Sequence, residues 1–175
     1  FESAICCIIG KDALSCGKTI RAVSALAEAY RKNSLVVQWD ITTLPMAQET
    51  CHGLYSNSSK SPRVRAEALF VAANLSFLQQ QYLKGLTQIR LAQRLLPEDY
   101  YFPAIEGCVL AMQMQLAQAI QAYQKASNLG CDCLEHSLFH LSILHLTNSS
   151  TTDDAILLLE EFVSKAEVDS RKLPE

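Results

Sequence analysis

Shifting this sequence by 34 residues lays small side chains on small side chains. Ala73 falls on Gly107, Gly85 on Ala119 and Ala92 on Ala126, while the larger Leu75, Tyr82 and Ile89 fall on Val109, Leu116 and Tyr123. No other feature constrains the fold as tightly, because self-similarity at a period of tens of residues marks stacked repeats. Two helices approach closely only where neither carries bulk. The small positions therefore mark where the helices of a hairpin touch, and the larger residues between them fill the gap to the next hairpin.

Helix formers dominate the chain, and glycine and proline are scarce, with 6 and 5 copies in 175 residues. Apolar residues recur at three- and four-residue spacing in 66–81, where Leu69, Ala72, Ala73, Ser76 and Phe77 share a face, and this predicts a helix. A second helix is predicted over 83–96, stopped by Pro97. Residues 104–115 and 116–129 form another pair, and 134–147 with 153–167 a third, the last opened by Asp153 as N-cap. The segment 134–147 is apolar around nearly its whole circumference and should be covered on both sides. Upstream, 11–32 reads as helical, 34–44 has strand-like β-branched content interrupted by Pro45, and 46–55 reads as a short helix. Residues 56–62, SNSSKSP, are the clearest linker. The expected class is all-α.

A period of 34 built from two helices and a short turn resembles the tetratricopeptide repeat (TPR) family. Residues 66–97 carry the family's aromatic before the second helix at Tyr82, its small second-helix residues at Gly85 and Ala92, and its closing proline at Pro97. In the next unit Ala119, Tyr123 and Ala126 match the second helix, and Gly107 stands at the first-helix glycine. The usual first-helix tryptophan is Leu69 and then Pro103, the usual glycine between helices is Gln80 and then Met114, and Cys131 replaces the second closing proline. The third unit is looser, since Ala155 lies 36 residues after Ala119. The resemblance implies an α-solenoid of antiparallel helix hairpins, a TPR-like superhelix. Its parts would be N-terminal helices in 1–55 forming one or more degenerate repeats, a linker or loop at 56–62, repeats at 63–99 and 100–131, a degenerate repeat at 132–168 and a tail at 169–175.

It also implies a function. Such arrays bind segments of partner proteins along a groove lined by first helices, which here would present Phe70, Asn74 and Phe77, then Tyr101, Cys108 and Ala111, then Leu138, Ser142 and His145. Family members that clamp a terminal carboxylate place a basic residue where this chain has Phe70 and Ala104, so that role is disfavoured. The apolar, nearly uncharged groove suits a partner helix or an extended apolar segment. The expectation is a non-enzymatic protein-interaction scaffold: part of a larger subunit of a multi-protein complex, with one or more protein partners and no cofactor. Exposed apolar helix faces would also allow self-association.

Other motifs are weaker. Gly17-Lys18-Thr19 resembles the end of a phosphate-binding loop, but that loop needs four residues between its glycines, whereas Gly10 and Gly17 are separated by six. The competing reading makes Gly10 a helix stop, Asp12 an N-cap and Lys18 a solvated charge. Cys131, Cys133, His136 and His140 could hold zinc, yet the two thiols are one residue apart rather than the usual two to four. Met112 and Met114 could form a pliable binding edge, with core filling the favoured reading. No Ser, His and acid combination orders into a catalytic set. A formal charge of −3 offers no patch for nucleic acid, and the opening apolar run is too short to span a membrane. Seven cysteines, an odd number in apolar surroundings, read as reduced buried thiols in an intracellular protein, cytoplasmic or nuclear. The chain is expected to be part of something longer.

Overall fold

The computed structural model describes residues 2–32, 39, 43–129 and 157. Among the residues of its elements there are seven helices and no strand: α1 (Glu2–Ser15), α2 (Thr19–Lys32), α3 (Thr43–Ser56), α4 (Pro62–Leu78), α5 (Tyr82–Leu95), α6 (Tyr101–Met112) and α7 (Leu116–Asn128). The chain divides into two compact units, Phe1–Pro97 with α1 to α5, and a second beginning at Glu98 with α6 and α7.

Three tight turns join α1 to α2, α4 to α5, and α6 to α7. At Gly17, Gln80 and Met114 the backbone is left-handed, with φ of 68°, 60° and 60°. In each turn that residue donates its N–H to the carbonyl three residues back (Leu14, Phe77, Ala111). The next residue donates to the carbonyl five back (Ala13, Ser76, Leu110), all at 2.8–3.0 Å. This pair of bonds satisfies carbonyls that a helix end leaves without partners. One register then holds in all three hairpins. Seven residues before the left-handed position stands a small side chain (Gly10, Ala73, Gly107), five after it another (Ala22, Gly85, Ala119), and twelve after it an alanine (Ala29, Ala92, Ala126). Nine after it stands a large apolar residue (Leu26, Ile89, Tyr123). Every one of these is buried.

The small residues are where helices meet. A Cβ on Gly10 would come within 2.7 Å of Leu26 Cγ, and one on Gly107 within 3.0 Å of three ring atoms of Tyr123. At Gly85 the neighbour is the ring of Phe77.

The helix α3 stands outside this register and packs on α4, which also touches α2 and α5. Enclosed on three sides, α4 buries every residue from Ala66 to Ala73. Phe70 is wholly buried, edge-on to Tyr30 at 6.1 Å between ring centres, with the Arg31 guanidinium 5.7 Å from its centre. Full burial of such a side chain contributes about 1.5–3 kcal/mol. The buried carboxylate of Glu67 accepts from Ser24 Oγ at 2.6 Å and from Arg63 Nε at 3.2 Å, tying α4 to α2. A carboxylate this deep costs several kcal/mol unless paired, so these bonds are what make its position tolerable.

Several expectations are corrected. Gly10 does not stop a helix and Asp12 is not an N-cap, because α1 runs through both and ends at Ser15. The helix expected over 11–32 is two helices, broken at Gly17. Thr43 and Leu44, expected at the end of a strand, open α3. Pro45 sits in its first turn, where the missing N–H has no intrahelical acceptor to lose. Most of 34–42 lies outside the described residues. The helix expected from 66 begins at Pro62, because Ser61 caps it, accepting from the Val64 N–H at 3.4 Å, and proline suits the first helical position. It ends at Leu78 because Gln80 turns left-handed. Met112 and Met114 do not fill the core; they are 69% and 76% exposed. Of the cysteines, Cys7 and Cys51 are buried and Cys6 half-buried, whereas Cys16 and Cys108 are exposed. The third helix pair falls outside the described residues, apart from Leu157, which is helical and exposed.

Candidate functional site

Within the first unit, α3, α4 and α5 enclose an open cleft of about 400 Å³. Its floor is small because the repeat demands small residues on α4: Ala72 and Ser76, one turn apart. One wall is α3, with Gln48, Glu49, His52 and Tyr55, and the other is α5, with Lys84 and Gln88. The rings of His52 and Tyr55 meet edge-on, centres 5.2 Å apart. At the rim Gln48 Nε2 donates to Gln79 Oε1 at 3.2 Å, and Lys84 Nζ donates to Gln81 Oε1 at 3.4 Å. The lining mixes polar and apolar surface, with one carboxylate and one ammonium group, so no single sign of charge prevails.

The deepest polar groups belong to Ser76 and Gln88, 3% and 8% exposed. Ser76 Oγ lies 3.0 Å from the Ala72 carbonyl and 2.9 Å from Gln88 Oε1. One hydroxyl proton serves one acceptor. Donation to Gln88 Oε1 joins α4 to α5, and the Ala72 carbonyl keeps its place in the backbone ladder of α4.

The residues expected to line a groove are placed as follows. Phe70 is interior and serves the packing of α4 on α2. Asn74 is half-buried and donates Nδ2–H to the Phe70 carbonyl at 2.9 Å, within its own helix. Phe77 is half-buried against Gly85. On α6, Tyr101 and Ala111 are half-buried and Cys108 is exposed. Leu138, Ser142 and His145 lie outside the described residues, as do the zinc candidates Cys131, Cys133, His136 and His140. Among the described residues no group of three or more His, Cys, Asp or Glu could hold a metal ion, and no helix is long and apolar enough to cross a membrane.

At Gly17-Lys18-Thr19 the geometry is that of a helix-to-helix turn. The N–H groups of Gly17, Lys18 and Thr19 already bond Leu14, Ala13 and Gly17 carbonyls. A phosphate cradle needs those donors free and convergent; here they are consumed. Sequence reasoning missed α3 as a cleft wall, and it expected degenerate repeats in 1–55 without locating the first hairpin around Gly17. The signal for the hairpin was present in Gly10, Ala22 and Ala29 around Gly17, but it lies 63 residues from its counterpart at Gln80, not 34.

No protein-family model matches the sequence, and no curated protein does. Among solved structures the chain is similar to a crystal structure of the MamA protein, with 17% identity, a TM-score of 0.65 and coverage of 99% of this chain and 97% of that one. A second crystal structure of MamA matches with the same identity and TM-score over 93% of this chain and 97% of the other. MamA contains tetratricopeptide repeats. At this identity the likeness is one of fold, and it establishes the class of this chain as an all-α, TPR-like helical-repeat solenoid.

Proposed function

We propose that the protein is a non-enzymatic scaffold that holds a segment of another protein within a larger assembly. The observation that carries this reading is the open cleft over α4, set in a helical-repeat fold and lined by side chains from three helices. Stacked helical hairpins leave an extended, rigid surface, which suits capture of a helix or strand-like segment rather than a small reactant. The cleft would fix the register of that segment by hydrogen bonds. Tyr101, Cys108 and Ala111 on α6 would supply apolar contact in the second unit, with Leu138, Ser142 and His145 doing the same for the third repeat.

The reading is tested by cross-linking the full chain to its partners in cells and repeating the capture with His52→Ala and Lys84→Glu, both at exposed positions. The partner recovered with the unaltered chain should be lost with the cleft variants and retained with Lys18→Ala. If the cleft variants captured it undiminished while Lys18→Ala lost it, the nucleotide-binding alternative would take its place.

A further inference from the structure

We propose that Ser61 is a phosphorylation site, the acceptor for a serine kinase that reads a proline directly after the serine. The inference is independent of the scaffold reading.

Ser61-Pro62 is the only step in the chain where serine or threonine precedes proline; the other prolines follow Leu44, Leu96, Phe102 and Leu173. It stands in the connection between α3 and α4, where Ser56 to Ser59 and Ser61 to Arg63 are exposed and Lys60 is half-buried. The proline fixes its own φ and carries no N–H, so the step presents a set shape and one fewer hydrogen-bond demand to an enzyme pocket. The Ser61 hydroxyl is held lightly. Its oxygen accepts from the Val64 N–H at 3.4 Å, longer than the usual range. Two residues upstream, Ser59 Oγ donates to Asn57 Oδ1 at 2.7 Å, so that hydroxyl proton is already engaged. Helix ends fray, which lets the first turn of α4 open and present Ser61 in extended form.

In the transfer, Ser61 Oγ bonds the γ-phosphorus of ATP as the bond from that phosphorus to the β-phosphate oxygen breaks. ADP leaves, and the hydroxyl proton passes to a base of the kinase. The phosphoserine carries nearly two negative charges. Lys60, Arg63 and Arg65 flank it, and from Thr50 to Ala66 the chain has no acidic residue to repel it. Arg63 Nε donates to Glu67 and Arg65 Nε to the Tyr55 carbonyl, both at 3.2 Å. Each bond takes one of the five N–H donors of its guanidinium, and the other donors suit phosphate oxygens. Arg65 follows Ser61 by one helical turn, its backbone N–H donating to the Ser61 carbonyl at 3.1 Å. A phosphate paired with Arg65 would therefore tie the end of α3, through Tyr55, to the start of α4.

The test incubates the folded full chain with a cyclin-dependent kinase, which requires proline after its acceptor, and Mg-ATP, and maps the site by tandem mass spectrometry. Phosphate should appear on Ser61, be absent from Ser61→Ala, return in Ser61→Thr, which keeps the cap, and be largely lost in Pro62→Ala. Hydrogen exchange of the Arg63 to Ala66 amides should slow about fivefold in the phosphorylated chain, as negative charge at a helix start implies. Arg65→Gln should shrink that slowing. The same site should be found in the protein isolated from its own cells with phosphatase inhibitors present. Phosphate on Ser58 or Ser59 instead, equal labelling of Ser61→Ala or Pro62→Ala, labelling only after unfolding in urea, exchange that is unchanged or faster, or an unmodified Ser61 in the cellular protein would each overturn the proposal.

Discussion

Gly85→Ala is the most informative single change in this fold, because two opposing effects of known size meet at one carbon. Alanine is favoured over glycine within a helix by about 1 kcal/mol. Against that, a Cβ at residue 85 falls on the Phe77 ring, 2.5 Å from Cδ1 and 2.8 Å from Cζ. The ring must move, and overpacking of this kind costs about 1–3 kcal/mol. The net expectation is a loss of up to about 2 kcal/mol, or a fall in Tm of several degrees at about 2–4 °C per kcal/mol for a chain of this length. The sister hairpin supplies the control. At the positions equivalent to Phe77 and Gly85, α6 and α7 carry Ala111 and Ala119, and their bulk sits instead at Tyr123 against Gly107. In a Phe77→Ala background, Gly85→Ala therefore recreates a pair that the same turn already tolerates, and it should stabilise by about the propensity gain of 1 kcal/mol. Urea unfolding of the two single variants and the double should show a coupling of about 2 kcal/mol. A Gly85→Ala cost that is the same with and without the Phe77 ring would refute close approach as the reason for glycine here.

Replacing Gln80 or Met114 with glycine should raise stability by about 0.5–1 kcal/mol each, since both hold a left-handed backbone that costs an L-residue about 1–2 kcal/mol; a loss in urea melts would contradict the turn assignment. Gly107→Ala should be close to neutral, because its 3.0 Å contacts ask the Tyr123 ring to give only a few tenths of an ångström. Ser24→Ala should destabilise by about 1–3 kcal/mol by stripping a partner from the buried Glu67 carboxylate, and Ser24→Ala with Glu67→Gln should recover part of the loss. Burial pushes the Cys51 thiol from 9 up to about 12, and burial likewise pushes the Tyr30 and Tyr123 hydroxyls upward. The folded chain therefore keeps protons that the unfolded chain releases. The contribution from Cys51 is whole below pH 9 and declines through pH 12 at about 1.4 kcal/mol per pH unit; thermal melts at pH 8 and pH 10 should show the start of the loss. Iodoacetamide should label Cys16 and Cys108 rapidly in the folded chain and leave Cys51 untouched.

The hairpins were legible because their determinants are local. Ala73 to Ala126 repeat a steric requirement at a constant stride, and Pro97 follows the end of α5, whereas the SNSSKSP stretch is shorter as a loop than expected, since Ser56 ends α3 and Pro62 opens α4. The first hairpin was not legible at that stride, since α3 and its approach lengthen the interval from Gly17 to Gln80. Non-glycine residues in the left-handed turns hid the ends of α4 and α6 as well.

From α4 to α7 the sequence alone therefore determined which segments are helical and which of them pair, because backbone propensity and close approach across a three-residue turn depend on neighbours within one hairpin. Tertiary structure decided what each face meets. Only the packing of α2 and α3 on α4 takes Phe70 from an expected groove into the core, and only α3 lying beside α4 brings Gln48 and His52 to Lys84 and Gln88. Those contacts join residues tens of positions apart, and no periodicity within a helix encodes the distance between two helices.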